Sequence, residues 1–347
     1  GTEYSDKLEE DREFGQLEMK RVGMSALPHW DFMDYEEAIK FIRENPGRYV
    51  FKPSGSILAG QKGILFIGQD ESGQDLLEVL SHNKTAWSKK FRKFQLQKYA
   101  NGVEVAVGAF FNGKDFVYPI NVNFEHKKLF PGDIGPYTFE MGTLMYWSEP
   151  NRIFKMTLEK IREPLAESGY VGYIDVNCIA NNYNVYPLEF TARFGYPTIS
   201  IQQEGMLTPI GEFLAGLAEG TLTRFKAKSG FQVGVRIVVP PFPFYGDTKT
   251  FEVNSKDSII FFKKNGSRDG IHIEDVKVVE DKWIVTGTSG VVLIVVGTGQ
   301  TMRQAQQQAY NRIQNILIPN MYYRTDIGDR WFEDSDKLHN WGYLREV

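Results

Sequence analysis

The chain has 347 residues, of which 42% are hydrophobic and 24% charged, with a formal net charge of −4 and a mean hydropathy of −0.34. At roughly 100–200 residues per domain this length predicts two or three domains, and no run of about 18 apolar residues is present to cross a membrane. The acidic balance argues against a nucleic-acid binder, the polar first twenty residues read against a signal peptide, and the lone Cys178, unable to form an internal disulfide, points to a reducing, cytoplasmic location.

Residues 1–46 read as a helical lead-in. Within it Asp34-Tyr35-Glu36-Glu37 has the form of a capping box. Tyr35, Ala38, Ile39 and Ile42 then recur at helical spacing until Asn45-Pro46-Gly47 stops them. Strands over 49–52 and 63–67 flank a Gly-rich connection that runs from Pro53 to Lys62. A short helix is expected over 75–80 and strands over 94–99 and 103–111, with Asn112-Gly113 as a hairpin turn. A strand over 118–122 leads into 123–142, where Gly, Pro and charge predict a long loop of the kind that is usually functional or disordered. Phe154, Leu158, Ile161 and Leu165 mark a helix closed by Gly169. Strands over 171–180 and 185–193 are joined by the polar turn Asn181-Asn182-Tyr183-Asn184. Thr208-Pro209 opens a helix with Pro at its first position, ending near Gly220. After Ser229 strand-like runs occupy 233–239, 258–262, 271–279, 283–286 and 291–296. The capping box Thr301-Met302-Arg303-Gln304 then starts a helix with Ala305, Ala309, Ile313 and Ile316 on one face. This change of texture places a boundary near 222–230, with an α+β unit beyond it.

Three features carry chemistry. In the first, a turn centred on Asn182 sets Asp175 opposite or nearly opposite Glu189, while Glu189, Thr191 and Arg193 alternate onto one face. Two carboxylates on one face repel unless a cation or a shared proton lies between them. Mg²⁺ commonly takes one or two carboxylates plus substrate phosphates, and Arg193 can neutralise phosphate charge. Taken alone, the pair reads more readily as ordinary solvated carboxylates. The second feature is the Gly-rich connection with Lys52 before it and Lys62 at its end. Backbone N–H groups of such a loop can approach phosphates, and lysines add point charge. It lacks the G-x-x-x-x-G-K-[ST] of a P-loop and by itself can be a plain turn. The third is Gln97-Lys98-Tyr99-Ala100-Asn101-Gly102-Val103-Glu104, a strand end able to offer backbone hydrogen bonds to adenine, followed by a carboxylate for ribose hydroxyls. His29, His82, His272 and His339 lack partners at metal-ligand spacing. The basic run Lys84, Lys89, Lys90, Arg92 and Lys93 reads as a solvated face rather than a nucleic-acid surface.

In this order, the three features are those of ATP-grasp enzymes, and further motifs narrow the likeness. Phe51-Lys52-Pro53-Ser54-Gly55 with Ala59-Gly60-Gln61-Lys62-Gly63 forms one. Glu125-His126-Lys127-Lys128, Gly132-Asp133-Ile134-Gly135-Pro136-Tyr137-Thr138 and Met141-Gly142 form a second. Leu188-Glu189-Phe190-Thr191-Ala192-Arg193-Phe194-Gly195 and Met321-Tyr322-Tyr323-Arg324-Thr325-Asp326-Ile327-Gly328 complete the set. From about residue 11 to 328 the chain resembles the phosphoribosylamine–glycine ligases, also called glycinamide ribonucleotide synthetases.

The resemblance implies an α+β ATP-grasp fold. A lid subdomain over 47–102 and a core subdomain over 103–225 follow the lead-in. A C-terminal α+β domain over 226–328 comes next, and a tail over 329–347 bears Trp331, Phe332 and Trp341. It also implies a ligase acting on small molecules, with neither nucleic acid nor membrane as partner. A carboxylate attacks the γ-phosphate of ATP to give an acyl phosphate, and an amine then displaces phosphate, joining glycine to phosphoribosylamine in purine biosynthesis. Carried over residue by residue, Lys52 and Lys62 contact the phosphates, Gln97, Lys98, Tyr99 and Ala100 hold adenine, and Glu104 holds ribose. Asp175, Glu189 and Thr191 bind Mg²⁺ or Mn²⁺. Arg193, with Lys62, stabilises the transferred phosphoryl group. His126, Lys127, Gly135, Pro136, Thr138 and Gly142 face the phosphoribosylamine.

The chain departs from this family at four places. Thr191 stands where the metal strand carries Asn, and a hydroxyl is a shorter ligand than an amide carbonyl. Tyr196 and Thr198 replace acidic residues. Phe139-Glu140 occupies the place of a Gly pair, so two side chains there are expected to narrow the pocket. The family's leading Rossmann-like domain is missing before the equivalent of residue 11, which leaves three expectations open: the sequence is a piece of a longer chain, a separate chain supplies the domain as a partner, or the enzyme manages without it. The changes fall on the acceptor side, so two other readings stand beside the first: a ligase for a different carboxylate and amine, and a nucleotide-binding protein without turnover.

Overall fold

The computed structural model describes residues 1–54, 65–244, 246–263 and 268–347. The Gly-rich connection from Gly55 onward, with Lys62, lies outside the described residues.

The chain opens with α1 (Glu3–Glu10), capped reciprocally by Thr2 and Ser5, and α2 (Arg12–Arg21), whose N-terminal Phe14 N–H is taken by the Asp11 carboxylate. Then comes β1 (His29–Phe32), inside the stretch expected to be helical. Its four residues are too short for a periodic signal. What makes it a strand is tertiary pairing, His29 to Gln97 through Phe32 to Phe94. The helix α3 (Tyr35–Glu44) begins as expected, with the Asp34 carboxylate accepting from the N–H groups of Glu36 and Glu37. Next are β2 (Tyr49–Ser54), β3 (Phe66–Ile67), α4 (Gln74–Trp87) and β4 (Lys93–Lys98). The helix α4 runs past the expected stop at residue 80 and takes up the first part of the basic run. These strands form an antiparallel sheet in the order β1-β4-β2-β3. Its apolar face, with Phe51, Phe94 and Leu96 fully buried, packs on Ile42 of α3 and on Leu76 and Leu80 of α4.

The second layer is larger. It starts with β5 (Val103–Asn112), β6 (Phe116–Phe130) and β7 (Ile134–Ser148). The long loop expected over 123–142 is instead a hairpin, paired from Ile120–Ser148 to Phe130–Ile134. Asn121, Asn123 and Glu125 alternate with Val122, Phe124 and His126, so one face is polar and the other enters the core. The density of Gly and charge masked a period of two. The helix expected around Phe154–Leu165 is three short pieces, α5 (Arg152–Met156), a 3₁₀ turn (Leu158–Ile161) and α6 (Arg162–Glu167). Then come β8 (Val171–Ala180), β9 (Val185–Thr191), α7 (Thr198–Gly205), α8 (Ile210–Ala218) and β10 (Phe231–Val238). The remainder comprises α9 (Thr248–Asn254), β11 (Phe261–Phe262), β12 (Ile271–Ile273), β13 (Val276–Val279), β14 (Lys282–Val285), β15 (Val291–Gly299), α10 (Met302–Ile313), β16 (Ile316–Leu317) and α11 (Trp331–Asn340). The Thr301–Gln304 capping box is present at the start of α10.

One antiparallel sheet, in the order β12-β15-β10-β7-β6-β5-β8-β9, spans this layer. Of the strands expected in a separate unit beyond residue 230, β10, β12 and β15 continue the sheet of the preceding one, through pairing of β10 with β7 from Phe231–Tyr146 to Val235–Gly142, while β11 with β16 and β13 with β14 form two-stranded sheets of their own. Alternate side chains enter the main core, among them Val122, Leu144, Ile174, Val176, Val235 and Val295. The tail docks on the body. Trp331 meets Phe124, Tyr146 and Phe231 edge-to-face at 5.1–5.6 Å between ring centroids. No helix among the described residues is long and apolar enough to cross a membrane.

Candidate active site

Between the first sheet and the β9 edge of the second lies a cleft of about 390 Å³, closed on one side by α1 and α2. Of the residues singled out in the sequence, Lys52, Gln97, Lys98, Tyr99, Ala100, Glu104, Lys127, Thr138 and Glu189 line it. Arg12 at the start of α2 and Phe139 line it too. Arg12 has no motif around it in the sequence, because the chain folds it in from some 40 residues before Lys52.

Lys52 sits on β2 with its ammonium buried and donating to the Gln97 side-chain oxygen at 2.6 Å. Burial pulls it down to about 7, the nearby Arg12 guanidinium adds to the effect, and Glu189 and Glu104 oppose it. A lysine so short of counter-charge gains when an anion enters. At the end of β4, Lys98 N–H donates to Pro28 and Tyr99 N–H to Arg48, so these two amides serve the lid itself. The Arg48 guanidinium lies 3.5 Å from the Tyr99 ring centre.

The register of β8 and β9 differs from simple counting. Asp175 pairs with Thr191 and Asn177 with Glu189, because an irregularity beside Cys178 shifts the ladder by one residue. Asp175 and Glu189 still share a face, as diagonal rather than direct neighbours. Glu189 reaches the cleft, whereas Asp175 is buried at 4% exposure. Burial raises Asp175 well above the usual carboxylate range, with Glu125 adding to the effect and the contact to Thr191 opposing it. One Asp175 oxygen has no hydrogen-bond partner. β5 approaches closely here: a Cβ on Gly108 would meet the Tyr173 hydroxyl at 2.0 Å and the Asp175 Cβ at 2.8 Å. Asn177, absent from the sequence reading, is the residue directly across from Glu189. It donates to Glu125 at 3.3 Å. A period-two pattern from Asp175 contained it, but an amide among carboxylates gave no signal.

Lys127 bridges Glu104 at 2.7 Å and Glu125 at 3.2 Å. Burial opposes its charge, yet Glu104, Glu125 and Glu189 outweigh that and hold it well above the usual lysine range. Arg193 lies past the end of β9, where its Nε donates to Glu9 at 2.9 Å. The remaining predicted substrate residues are not gathered in the cleft. His126 is buried, accepts the Gly328 N–H at 3.4 Å, and is pushed down to about 3 by burial and by Arg330 and Arg324. It is a neutral packing group here. Gly142 is pressed against β10, where a Cβ would meet the Gly234 carbonyl at 2.5 Å. Gly135 and Pro136 are exposed near the hairpin tip. That tip is tied to the distant Arg324 motif: Arg324 donates to the Lys128 carbonyl, to Asp133 and, through two nitrogens, to Asp326.

Phe139 and Glu140 part ways. Phe139 lines the cleft, but Glu140 turns inward, accepts from Thr143 and lends its carbonyl to Arg236 at 2.8 Å. Burial raises the Glu140 carboxyl well above its ordinary range, helped by Glu125 and opposed by Arg236. A carboxyl raised in the fold binds more proton there than in the unfolded chain, so its contribution to stability falls as pH climbs above about 4.5, the unfolded value. Glu140→Gln is therefore expected to melt above the parent at about pH 8, with the gap narrowing as pH falls toward that value. Thermal melts at both ends of this range read it, and a gap that does not move with pH counts against the assignment.

Comparison with known proteins gives a consistent picture. Residues 10–199 match the model of the phosphoribosylglycinamide synthetase ATP-grasp (A) domain, and residues 252–330 that of the phosphoribosylglycinamide synthetase C domain. The chain is 24% identical over 334 residues to a phosphoribosylamine–glycine ligase of Streptococcus suis, covering 93% of this chain and 76% of that protein. It is 27% identical over 337 residues to one of Listeria innocua, covering 93% and 76%. Among solved structures, a phosphoribosylamine–glycine ligase of Thermotoga maritima superposes with a TM-score of 0.70 at 23% identity, covering 93% of this chain and 80% of that one. The biotin carboxylase domain of Hydrogenobacter thermophilus 2-oxoglutarate carboxylase, crystallised with Mg-ADP and bicarbonate, gives 0.63 at 15%, covering 98% and 73%.

Proposed function

The chain belongs to the phosphoribosylglycinamide synthetase family and is an ATP-dependent ligase of the ATP-grasp fold, and on that premise we propose that it joins glycine to phosphoribosylamine through an acyl phosphate in the cleft between its two sheets. The observation that carries this reading is the meeting of Lys52, Glu189, Lys127 and the strand end 97–100 in one cleft, from four separate parts of the chain.

In this reading the adenine lies against Gln97, Lys98, Tyr99 and Ala100, and Glu104 accepts from the ribose. The Glu104–Lys127 ion pair holds that carboxylate in place. Lys52 and Arg12 take the phosphates, whose charge would offset the burial and, after it, the nearness of Arg12 that together pull the Lys52 ammonium down. Lys62 joins them by its place in the sequence alone. The residues present suit a divalent cation such as Mg²⁺ or Mn²⁺: Glu189 faces the cleft, Asn177 lies across from it, and Thr191 and the unpartnered Asp175 oxygen lie one pair deeper. Bound there, the cation would neutralise and orient the β- and γ-phosphates. Arg193 stabilises charge on the transferred phosphoryl group. Lys127, Thr138 and Phe139 face the acceptor, and Phe139 makes its pocket tighter than a glycine would.

The test is ADP release from Mg-ATP with glycine and phosphoribosylamine supplied together and singly. Turnover that needs both is expected. Release only with another carboxylate or amine selects a different acceptor, and nucleotide binding with no release on any pair overturns the ligase reading.

A further inference from the structure

We propose that Glu9 is a positioning residue for Arg193, an inference that rests on the reading of Arg193 as the phosphoryl-stabilising group. Glu9 lies in the last turn of α1 and lines the cleft. Its two carboxylate oxygens bind consecutive residues at the exit of β9. One accepts the Ala192 backbone N–H at 3.0 Å, the other the Arg193 Nε at 2.9 Å. The first bond fixes the backbone that carries the arginine, and the second fixes the rotation of its guanidinium. A third bond, from Arg193 Nη1 to the Phe194 carbonyl at 3.2 Å, restrains the same group from the opposite side.

The clamp matters because Arg193 is otherwise loose, with its side chain 59% exposed, while that of Glu9 is 18% exposed. A long exposed arginine loses rotamer freedom on binding an anion. A charge-assisted bond from a half-buried carboxylate imposes that order beforehand. Glu9 is itself anchored: Leu8, its neighbour, belongs to the main core, and Thr2 caps the helix and touches Ser168. So α1, which lies outside both sheets, supplies order to the strand that carries the metal-binding residues. Such order has most effect where charge develops, at the transferring phosphoryl group, and little on nucleotide held in the ground state.

The experiment measures affinity for Mg-ADP with and without aluminium fluoride, a mimic of the transferring phosphoryl group, in the full chain. Glu9→Ala, Glu9→Gln, Arg193→Ala and the double variant are compared, with turnover measured alongside. Arg193→Ala is expected to weaken the aluminium fluoride complex about 10²-fold while leaving Mg-ADP within about twofold. Glu9→Ala is expected to lose about tenfold in the same selective way, and Glu9→Gln, which keeps an acceptor, less. Added to Arg193→Ala, the Glu9 change should then cost nothing further, because it acts through the arginine. Losses that multiply, or a Glu9→Gln variant that folds with unchanged affinity for the mimic, overturn the positioning role. A normal Arg193→Ala overturns the reading of Arg193, and the Glu9 role with it. Because the mimic needs no acceptor, a wrong acceptor assignment shows itself separately, as absent turnover with intact selective binding.

Discussion

Glu189→Gln is expected to lower the rate of ADP release by a factor on the order of 10²–10³ at saturating ATP and Mg²⁺, about 3–4 kcal/mol of transition-state stabilisation. The substitution keeps the shape of the side chain and removes its charge. Two effects then act in the same direction. The proposed cation site loses the one carboxylate of its set that reaches the cleft, since Asp175 lies deeper beside Thr191. Lys52 loses a nearby negative charge that sustains its ammonium, so it falls further below about 7 and presents less charge to the phosphates. Lys127 feels the same loss but keeps Glu104 and Glu125 and stays charged. Steady-state ADP release, titrated with Mg²⁺, reads both effects. The companion change Asp175→Asn acts behind the cleft wall and is expected mainly to raise the Mg²⁺ needed for half-maximal rate. A Glu189→Gln rate within about threefold of the parent would remove this residue from the machinery.

The site was legible in the sequence to the extent that local pattern carries it. Lys52, Glu104 and Glu189 stand on strands whose limits follow from turn residues and period two, and the structure brings all three to one cleft. Thr301–Gln304 and Asp34 announced their helices because capping is a local exchange of hydrogen bonds. What escaped depends on partners far along the chain. The irregularity that sets Asn177 rather than Asp175 against Glu189 is a property of two paired strands, and neither strand encodes it alone. The hairpin over β6 and β7 was hidden because its polar face is not solvated: Asn121, Asn123 and Thr143 are buried, so polarity read as loop where it marks a buried polar face of the sheet. The fate of Glu140 follows from the same fact. A polar interior offered it Thr143 and Arg236, and the side chain turned from the cleft to meet them. His126 shows the reverse case, a residue whose chemistry suggested contact with substrate and whose burial gives it a packing role instead.

Arg324→Met is expected to destabilise the fold by about 3–5 kcal/mol, the range found when one member of a buried ion network is removed. Arg324 has no exposed surface. Its guanidinium bridges the Asp133 carboxylate at 2.8 Å, both oxygens of Asp326 at 2.7 and 2.8 Å, and the Lys128 carbonyl at 2.9 Å. Methionine can fill the space of the stem but satisfies none of these acceptors. Asp133 retains Arg330 at 2.9 Å and Asp326 retains the Gly132 N–H at 3.0 Å, so the network is weakened rather than emptied. Arg324→Lys is expected to recover less than half of the loss, because one ammonium cannot span two carboxylates and a carbonyl held in the plane of a guanidinium. Urea denaturation of the three proteins gives the comparison, and a loss under about 1 kcal/mol for Arg324→Met would refute the assignment. The consequence for activity is distinct from the loss of stability. Arg324 fastens the hairpin tip at Lys128 and Asp133, and the same hairpin carries Lys127, Thr138 and Phe139 on the cleft wall. Under conditions where Arg324→Met remains folded, the wall is held at its β7 pairing but no longer at its tip. Acceptor KM should then rise while the affinity for Mg-ATP, whose proposed contacts come mainly from α2, β2, β4, β5 and β9, stays closer to that of the parent.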